Sequence, residues 1–371
     1  IPACIAVPQA TGIAILGDVF VSALKAIAPL LVFFLVISSL CNAGKSHGGV
    51  IKTVIILYMF STVLAAVIAV FASMAFPVKM TLANAATDTS APQGIVEVLN
   101  NLLLNVVANP VSSLVNANYV GILMWAVLLG LAFRAADKMT KKVLADVADG
   151  ISMVVTWIIN LAPFGIFGLV FNTVSTNGLD IFTTYGKLLL LLVGCMLFIY
   201  FVTNPLLVYW CIRQNPYPLI FQCLKRSALT AFFTRSSAAN IPVNMKVCEE
   251  MGLDRDTYSV TIPLGATINM DGAAITITGM TMATAFTLGI HVDIPTAIIL
   301  SLLAALSACG ASGVAGGSLL LIPMACSLFG ISDDISMQVV AVGFIIGVVQ
   351  DSVETALNSS SDLLLSASAE F

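Results

Sequence analysis

The sequence predicts an all-α integral membrane protein, and three observations support this fold class. Hydrophobic residues make up 59% of the chain and charged residues only 9%, whereas about a quarter of the residues of a soluble domain are charged. Apolar runs long enough to span a bilayer as helices recur along the chain. Two of the longest contain polar and acidic residues, which are costly in lipid and usually functional there.

Composition also excludes several classes of protein. The net charge of -4 is small and spread along the chain, so no basic surface for nucleic acid is expected. The eight cysteines form no CxxC pair, and we expect neither a cofactor nor a structural metal. There is no GxSxG motif, and the only histidines, His47 and His291, lie near predicted loops, which disfavours a membrane-embedded hydrolase. The chain is therefore not expected to be an enzyme.

The first half of the chain predicts full membrane spans separated by shorter helical pieces. Residues 11–40 and about 50–76 are apolar. The second of these spans carries three hydroxyl side chains on adjacent turns, which either bond back to their own helix or line a site. Asparagine and proline divide residues 95–133 into two or three short helices. Residues 144–174 and 187–211 predict two further spans.

A third apolar run, at 261–290, is interrupted in its middle by Asn269, Asp271 and Gly272. Asparagine and glycine weaken a helix, and unwound backbone at lipid depth is tolerated only where it is buried in protein or lines a cavity. Carbonyls freed in this way can ligate a cation beside a carboxylate. We therefore expect a broken helix at about 258–290 that forms half of an ion site.

Two segments predict re-entrant hairpins, because each has two apolar arms too short to span the membrane. Basic patches, which mark cytoplasmic loops, flank the first hairpin at about 215–252, so we expect it to enter from the cytoplasm. The second hairpin, at about 293–330, has a glycine-rich tip and is expected to enter from the opposite side. A GxxxG packing motif is the weaker interpretation of these glycines.

The last predicted helix, at about 334–366, carries a stripe of polar residues that step by three or four positions and so share one face. The stripe consists of Asp351, Glu354, Thr355, Asn358 and Asp362. It is either a solvated face or the lining of a pathway for an ion or a substrate. The strongly apolar residues directly before it favour the pathway, and a pure ion channel is the alternative from another functional class.

Four motifs, in their order and in their elements, resemble the dicarboxylate/amino acid:cation symporter family, which has the glutamate-transporter fold. The motifs are Thr234-Arg235-Ser236-Ser237, Asn269-Met270-Asp271-Gly272, Gly313-Val314-Ala315-Gly316-Gly317 and the stripe from Asp351 to Asp362. The resemblance covers essentially the whole chain. Within the family it is strongest to the bacterial members that carry serine or threonine with sodium.

The resemblance implies a homotrimer in the bacterial cytoplasmic (inner) membrane, with each chain crossing the lipid bilayer several times. Residues 1–49 and 77–183 are expected to form a scaffold for trimerisation. Residues 50–76 and 184–371 are expected to form a transport domain that moves in an elevator-type, alternating-access mechanism. The family's first helix is expected to lie upstream of Ile1.

The resemblance also implies sodium sites built from oxygen ligands, which suit a hard cation. One site is expected from the carbonyls of Gly265, Asn269 and Asn358 with the carboxylate of Asp362. Another is expected from Asp271 with the hydroxyls of Tyr58, Ser61 and Thr62. A third is expected from carbonyls near Cys309 and Ala311, as the second hairpin closes over Thr267 and Met270.

For an amino-acid substrate, the resemblance implies that Asp351 binds the ammonium group and that Asn358 binds the α-carboxylate. The further contacts expected are Arg235, Ser236, Ser237, Val314, Gly317, Glu354 and Thr355.

Glu354 decides which amino acids are expected as substrates. By the same resemblance, members that carry acidic substrates have an arginine at this position, and a glutamate there repels an acidic side chain. We hypothesise that Glu354 pairs with Arg235, because either charge alone in the membrane is costly. The predicted function is sodium-coupled symport of small neutral amino acids, serine and threonine, into the cell. The alternatives are a sodium-dependent neutral amino acid exchanger and a sodium/dicarboxylate symporter for glutamate or aspartate.

Overall fold

The computed structural model describes residues 11–42, 49–82, 104, 107–177, 181–309, 311 and 316–371, and these residues form helices and loops without a β-strand. The all-α prediction is confirmed for this part of the chain. The helix expected upstream of Ile1, much of the loop after residue 76, and tip residues 312–315 with Val314 lie outside the described residues.

The α-helices are numbered along the chain. They are α1 (Ala14–Asn42), α2 (Gly49–Ala75), α3 (Pro110–Val115), α4 (Tyr119–Phe133), α5 (Lys138–Asn160), α6 (Ala162–Asn177), α7 (Ile181–Phe198), α8 (Asn204–Ile212), α9 (Tyr217–Cys223), α10 (Leu229–Thr234), α11 (Ser237–Glu250), α12 (Arg255–Ile268), α13 (Asp271–Thr287), α14 (Ile294–Ala308), α15 (Ile322–Ser327) and α16 (Asp333–Glu370). Single π-helical segments join α7 to α8 and α9 to α10, and a 3-10 turn, Gly317–Leu321, precedes α15.

Six helical segments in the described part of the chain are long and apolar enough to cross a membrane. They are Ala14–Asn42, Gly49–Ala75, Lys138–Asn160, Thr183–Ile212, Arg255–Thr287 and Asp333–Glu370. The prediction of several transmembrane-length helices is therefore confirmed.

The prediction of a single span at residues 144–174 is wrong. Helix α5 ends at Asn160, Leu161 caps it, and α6 begins at Ala162. Pro163 lies in the first turn of α6, where its missing N–H removes no intrahelical hydrogen bond. The proline therefore begins a second helix instead of bending the first.

Helix α13 lies at the centre of one group of helices and is in contact with α2, α14 and α16. Residues 271–285 are buried without exception. Helix α1 belongs to a second group and packs mainly against α4, α5 and α6. Because polar groups buried in α13 cannot reach solvent, they depend on their own helix and on the neighbouring helices for hydrogen bonds.

Asn269 and Met270 separate α12 from α13. The backbone of Asn269 has φ -97° and ψ 78°, and that of Met270 has φ -119° and ψ 53°, which are values outside the helical region. Both residues are buried. The chain therefore leaves the helical conformation at the Asn-Met-Asp-Gly motif, and the first turn of α13 begins with the Asp271 carboxyl.

An ion pair and an aromatic contact connect α1 to α16. Lys25 Nζ lies 3.1 Å from Asp333 Oδ2 and 2.7 Å from Asp334 Oδ1. The rings of Phe20 and Phe344 meet edge to face, with their centroids 5.2 Å apart. These contacts tie the two helix groups together in the conformation described.

Replacing Lys25 by methionine is expected to lower stability by less than about 1 kcal/mol, because solvent screens an ion pair at this level of exposure. The Lys25 side chain is 39% exposed and that of Asp334 is 87% exposed. Thermal unfolding in detergent checks this result, and the difference should vanish in about 1 M salt. Lys52→Met on α2 is the matched control, since Lys52 makes no ion pair within the described residues. A loss that persists in high salt contradicts the prediction.

Candidate functional site

The Asp271 carboxylate is fully buried at the start of α13 and receives hydroxyl groups from α2. Ser61 Oγ donates to Asp271 Oδ2 at 2.7 Å, and Thr62 Oγ1 lies 3.2 Å from Asp271 Oδ1. Thr62 Oγ1 also accepts the Met270 N–H at 3.2 Å. The structure therefore brings Asp271, Ser61 and Thr62 together, as the resemblance implied, and Met270, which was expected in the third site, also lies here.

Tyr58 contributes its backbone carbonyl to this arrangement, 2.9 Å from Thr62 Oγ1, and its role as a sodium ligand stays a prediction. The expected contact between the Tyr58 hydroxyl and Asp271 is not found. The hydroxyl lies 2.9 Å from the Asp362 carbonyl oxygen, 2.7 Å from Ser366 Oγ and 3.3 Å from the Thr261 carbonyl oxygen. The reason is the length of the phenol, which carries the hydroxyl past Asp271 to α12 and α16.

The Asp362 carboxylate occupies a second buried position, between α12 and α16. Asn269 Nδ2 donates to Asp362 Oδ1 at 2.9 Å and to Ser361 Oγ at 2.8 Å, and lies 3.4 Å from the Asn358 carbonyl. A Cβ on Gly265 would come within 2.7 Å of Asp362 Oδ1, so only glycine allows this approach. Four residues predicted for one sodium site are thus brought together.

Two oxygens in this second position are buried and accept no hydrogen bond from the described residues: Asp362 Oδ2 and Asn269 Oδ1. Buried polar oxygens without a donor are destabilising. Carboxylate and amide oxygens are also the ligands that a hard cation prefers. The donor set therefore fits a cation such as sodium.

At Asp351 the stripe on α16 meets the turn that follows α10 and the turn that precedes α15. The Gly316 N–H donates to Asp351 Oδ1 at 3.0 Å, and Arg235 Nη1 lies 3.9 Å from Asp351 Oδ2. Arg235 caps the end of α10 with a left-handed backbone, φ 50°, and the Ser236 side chain then caps α11 by accepting the Ala239 N–H. This tight turn directs Arg235 toward α16.

The hypothesis that Arg235 pairs with Glu354 is wrong in this structure. Glu354 Oε2 instead accepts hydrogen bonds from Thr276 Oγ1 at 2.6 Å, Ser318 Oγ at 3.0 Å and Gln350 Nε2 at 2.5 Å. The acid nearest to Arg235 is Asp351, three residues earlier on α16. Neutral donors, not a cation, surround the buried Glu354 carboxyl.

Asn358 connects α16 to the first turn of α13. Its Oδ1 accepts the Gly272 N–H at 2.7 Å, and its Nδ2 lies 3.4 Å from Met270 Sδ. Thr355, Ser237 and Gly317 are each buried, on α16, on α11 and in the turn before α15. Because a carboxylate only accepts hydrogen bonds, the NH₂ group is the part of Asn358 that can bind it.

Of the residues expected to form the third sodium site, Cys309 contacts another element, whereas Thr267 and Ala311 form hydrogen bonds within their own segments. Cys309 Sγ lies 3.6 Å from the Ile268 carbonyl oxygen, so the end of α14 reaches the end of α12. The Thr267 hydroxyl donates to the Leu264 carbonyl in its own helix, and Ala311 is buried with its N–H bonded to the Ala308 carbonyl.

Two comparisons with known proteins identify the family of this chain. Residues 4–370 match the model of the sodium:dicarboxylate symporter family. The serine/threonine transporter SstT of Bifidobacterium adolescentis is 60% identical over 365 residues, which cover 98% of this chain and 85% of that protein. The chain belongs to the sodium:dicarboxylate symporter family. It is a multi-pass membrane transporter and not an enzyme, and the resemblance seen in the four motifs is confirmed.

The two buried carboxyls of this symporter's site, Asp271 and Asp362, lack a cationic partner among the described residues. Neither Asp271 nor Asp362 has a Lys or Arg within 4.0 Å among the described residues. A buried carboxylate that relies on neutral donors alone is costly. A bound cation offsets this cost, which links ion binding to the stability of the site.

Sequence reasoning missed several donors in the symporter's site, namely Thr276, Ser318, Gln350, Ser361 and Ser366. The hydroxyls carried no signal, because a serine or threonine in an apolar helix usually bonds to its own backbone. Gln350 could have been found, since it precedes Glu354 by four residues and so lies on the same face of α16.

Proposed function

We propose that this protein is a sodium-coupled symporter of small neutral amino acids, with serine and threonine as its substrates. The observation that carries the proposal is the buried Glu354, which lies on the substrate face of α16 with three neutral donors and no cation. An acidic substrate side chain at this place meets like charge at low dielectric. The serine/threonine transporter named above supports the same substrates.

Sodium is the proposed coupling ion. Asp362 with Asn269 and Gly265 supplies one site, and Asp271 with Ser61 and Thr62 supplies another. These sets contain carboxylate, amide and hydroxyl oxygens, and they lie where the helix between α12 and α13 is interrupted. A backbone break of this kind, facing protein and not lipid, suits ion coordination.

The amino-acid substrate is proposed to bind between Asp351 and Asn358. Asp351 Oδ2 accepts no hydrogen bond from the described residues, and in the proposed complex it accepts one from the ammonium group of the substrate. Asn358 Nδ2 is the donor offered to the α-carboxylate. Because a zwitterion has no net charge, the driving force must come from sodium, and coupling requires each ligand to favour the state that binds the other.

The architecture proposed for this function includes two re-entrant hairpins, one from α9 to α11 and one from α14 to α15. Helices α12 and α13 form the broken helix between them. Residues 50–76 and 184–371 are proposed to move as a transport domain against a scaffold of residues 1–49 and 77–183. The scaffold is proposed to form a homotrimer in the bacterial cytoplasmic membrane.

A competition experiment tests the substrate assignment. Uptake of radiolabelled serine into proteoliposomes is measured under an inward sodium gradient, with unlabelled threonine, alanine, aspartate or glutamate as competitor. We expect strong inhibition by threonine and none by aspartate or glutamate, with protein-free liposomes as the background. Inhibition by aspartate at concentrations similar to those of serine contradicts the proposal and favours a dicarboxylate carrier.

A further inference from the structure

We infer that Glu354 recognises the side-chain hydroxyl of the substrate through its Oε1 atom, and that Thr276, Ser318 and Gln350 are positioning residues that orient the carboxylate for this contact. The inference rests on the proposed function, since it names the feature of serine and threonine that the site selects. The hydroxyl distinguishes serine and threonine from alanine, which is similar in size to serine but has no hydroxyl.

The three positioning residues come from different elements and converge on a single atom. Thr276 lies on α13, Ser318 in the turn that follows the second tip, and Gln350 on α16 itself. All three donate to Glu354 Oε2, and Gln350 Nε2 also donates to Thr276 Oγ1 at 2.7 Å. With one oxygen held by three donors, the carboxyl group cannot rotate freely, so the direction of Oε1 is fixed.

Oε1 is the open side of this carboxyl group. It accepts no hydrogen bond from the described part of the chain, yet it is not one of the fully enclosed polar atoms. A carboxylate oxygen has lone pairs for further donors, and one left without a donor in a nearly buried side chain is destabilising. The guanidinium of Arg235 lies toward Asp351, so Oε1 is left available to a donor from the substrate.

The position of Glu354 along α16 suits the side chain of a bound amino acid. Asp351 and Asn358 are seven residues apart, which is about 10 Å along a helix. Glu354 and its neighbour Thr355 lie between them, about one turn from each, on the same face. With the ammonium group at Asp351 and the carboxylate at Asn358, the α-carbon lies between the two, and a short hydroxylated side chain can reach Glu354.

A site built to bond a hydroxyl rejects the analogue without it more strongly than an apolar pocket rejects a missing methyl group. The wild-type protein is therefore expected to show a KM for alanine at least about tenfold above its KM for serine. The contact also satisfies the buried glutamate, which then accepts from three protein donors and from a fourth on the substrate.

The test compares KM for serine and for alanine in proteoliposomes carrying wild-type protein, Glu354→Met, Thr276→Val or Thr278→Val. Glu354→Met removes the acceptor and is expected to bring the alanine to serine KM ratio near one. Thr276→Val removes one positioning donor and is expected to lower the ratio several-fold. Thr278→Val is the matched control, because Thr278 is buried two residues further on α13 and its hydroxyl has no partner among the described residues; its ratio should equal that of wild type.

Sodium-driven alanine uptake by Glu354→Met shows that this variant folds. If Glu354→Met and Thr276→Val transport both amino acids with the wild-type ratio, the inference is overturned while the proposed function stands. If the wild-type protein shows no sodium-driven serine uptake, the proposed function fails, and the hydroxyl contact with it. Thr276→Val remains informative where Glu354→Met does not accumulate in the membrane.

Discussion

Asp362→Asn is expected to reduce sodium-driven serine uptake at least about 100-fold. The substitution keeps an oxygen that can accept the Asn269 amide hydrogen bond, which is 2.9 Å long in the wild type, but it removes the buried negative charge. The proposed charge pair is the Asp362 carboxylate with a bound sodium ion. Losing one partner of a buried charge pair costs about 3–5 kcal/mol, which corresponds to a factor of about 100 or more in the affinity for sodium. Initial uptake rates over a range of sodium concentrations measure the effect.

The matched control for this change is Asp256→Asn, which neutralises an exposed carboxyl in the first turn of α12. It should leave both the uptake rate and the sodium dependence unchanged. A wild-type sodium dependence in Asp362→Asn would remove this carboxylate from the coupling site and with it the argument from the unpartnered oxygens.

Gly272→Ala is expected to abolish transport for a steric reason. A Cβ at this position would lie 2.9 Å from Glu354 Cα and 3.0 Å from the Glu354 carbonyl oxygen, and backbone atoms in the middle of α16 cannot move aside cheaply. The first turn of α13 must shift away from α16, which separates the Gly272 N–H from Asn358 Oδ1 and disturbs Asp271 beside it. We expect uptake to fall at least about 100-fold, since an error of about 1 Å in a positioned site is already severe.

Gly347→Ala serves as the control for Gly272→Ala, because a Cβ at Gly347 has open space around it in the described structure. It lies on α16, where alanine is the better helix former, so stability should hold or rise and uptake should continue. Both variants are compared by serine uptake and by thermal unfolding in detergent. Normal uptake by Gly272→Ala would mean that α13 and α16 need not be in contact during transport.

The parts of the site that could be predicted from the sequence are those where polar residues are costly. Asn269 and Asp271 interrupt an apolar run, and Asp351 to Asp362 form a stripe with helical spacing. In a membrane such residues have few explanations other than function. The structure places residues from both motifs in direct contact, with Asn269 bonded to Asp362 and Gly272 bonded to Asn358.

The pairing of side chains between helices could not be predicted in the same way. Tyr58, Ser61 and Thr62 share one helix face, but only the structure shows that the longer Tyr58 reaches Asp362 while the other two reach Asp271. Arg235 could meet either acid on the same face of α16, and which acid it meets depends on how the turn between α10 and α11 approaches α16. Such choices depend on the relative placement of helices, about which spacing along one helix carries no information.

Some helix boundaries could be predicted from the sequence and others could not. The limits of α2 follow from a continuous apolar run and were predicted within one residue at each end. The division between α5 and α6 was missed, because a proline in the first turn of a helix and a proline that bends a helix look alike in an apolar sequence.

Net accumulation of serine tests the central claim most directly. Proteoliposomes without internal amino acid are placed in radiolabelled serine with sodium outside, and the membrane potential is clamped with an ionophore. We expect serine to rise transiently above its equilibrium level and then fall as the sodium gradient dissipates, and no such rise when potassium replaces sodium on both sides. Equal uptake without sodium, or uptake only into vesicles preloaded with amino acid, would contradict sodium-coupled symport.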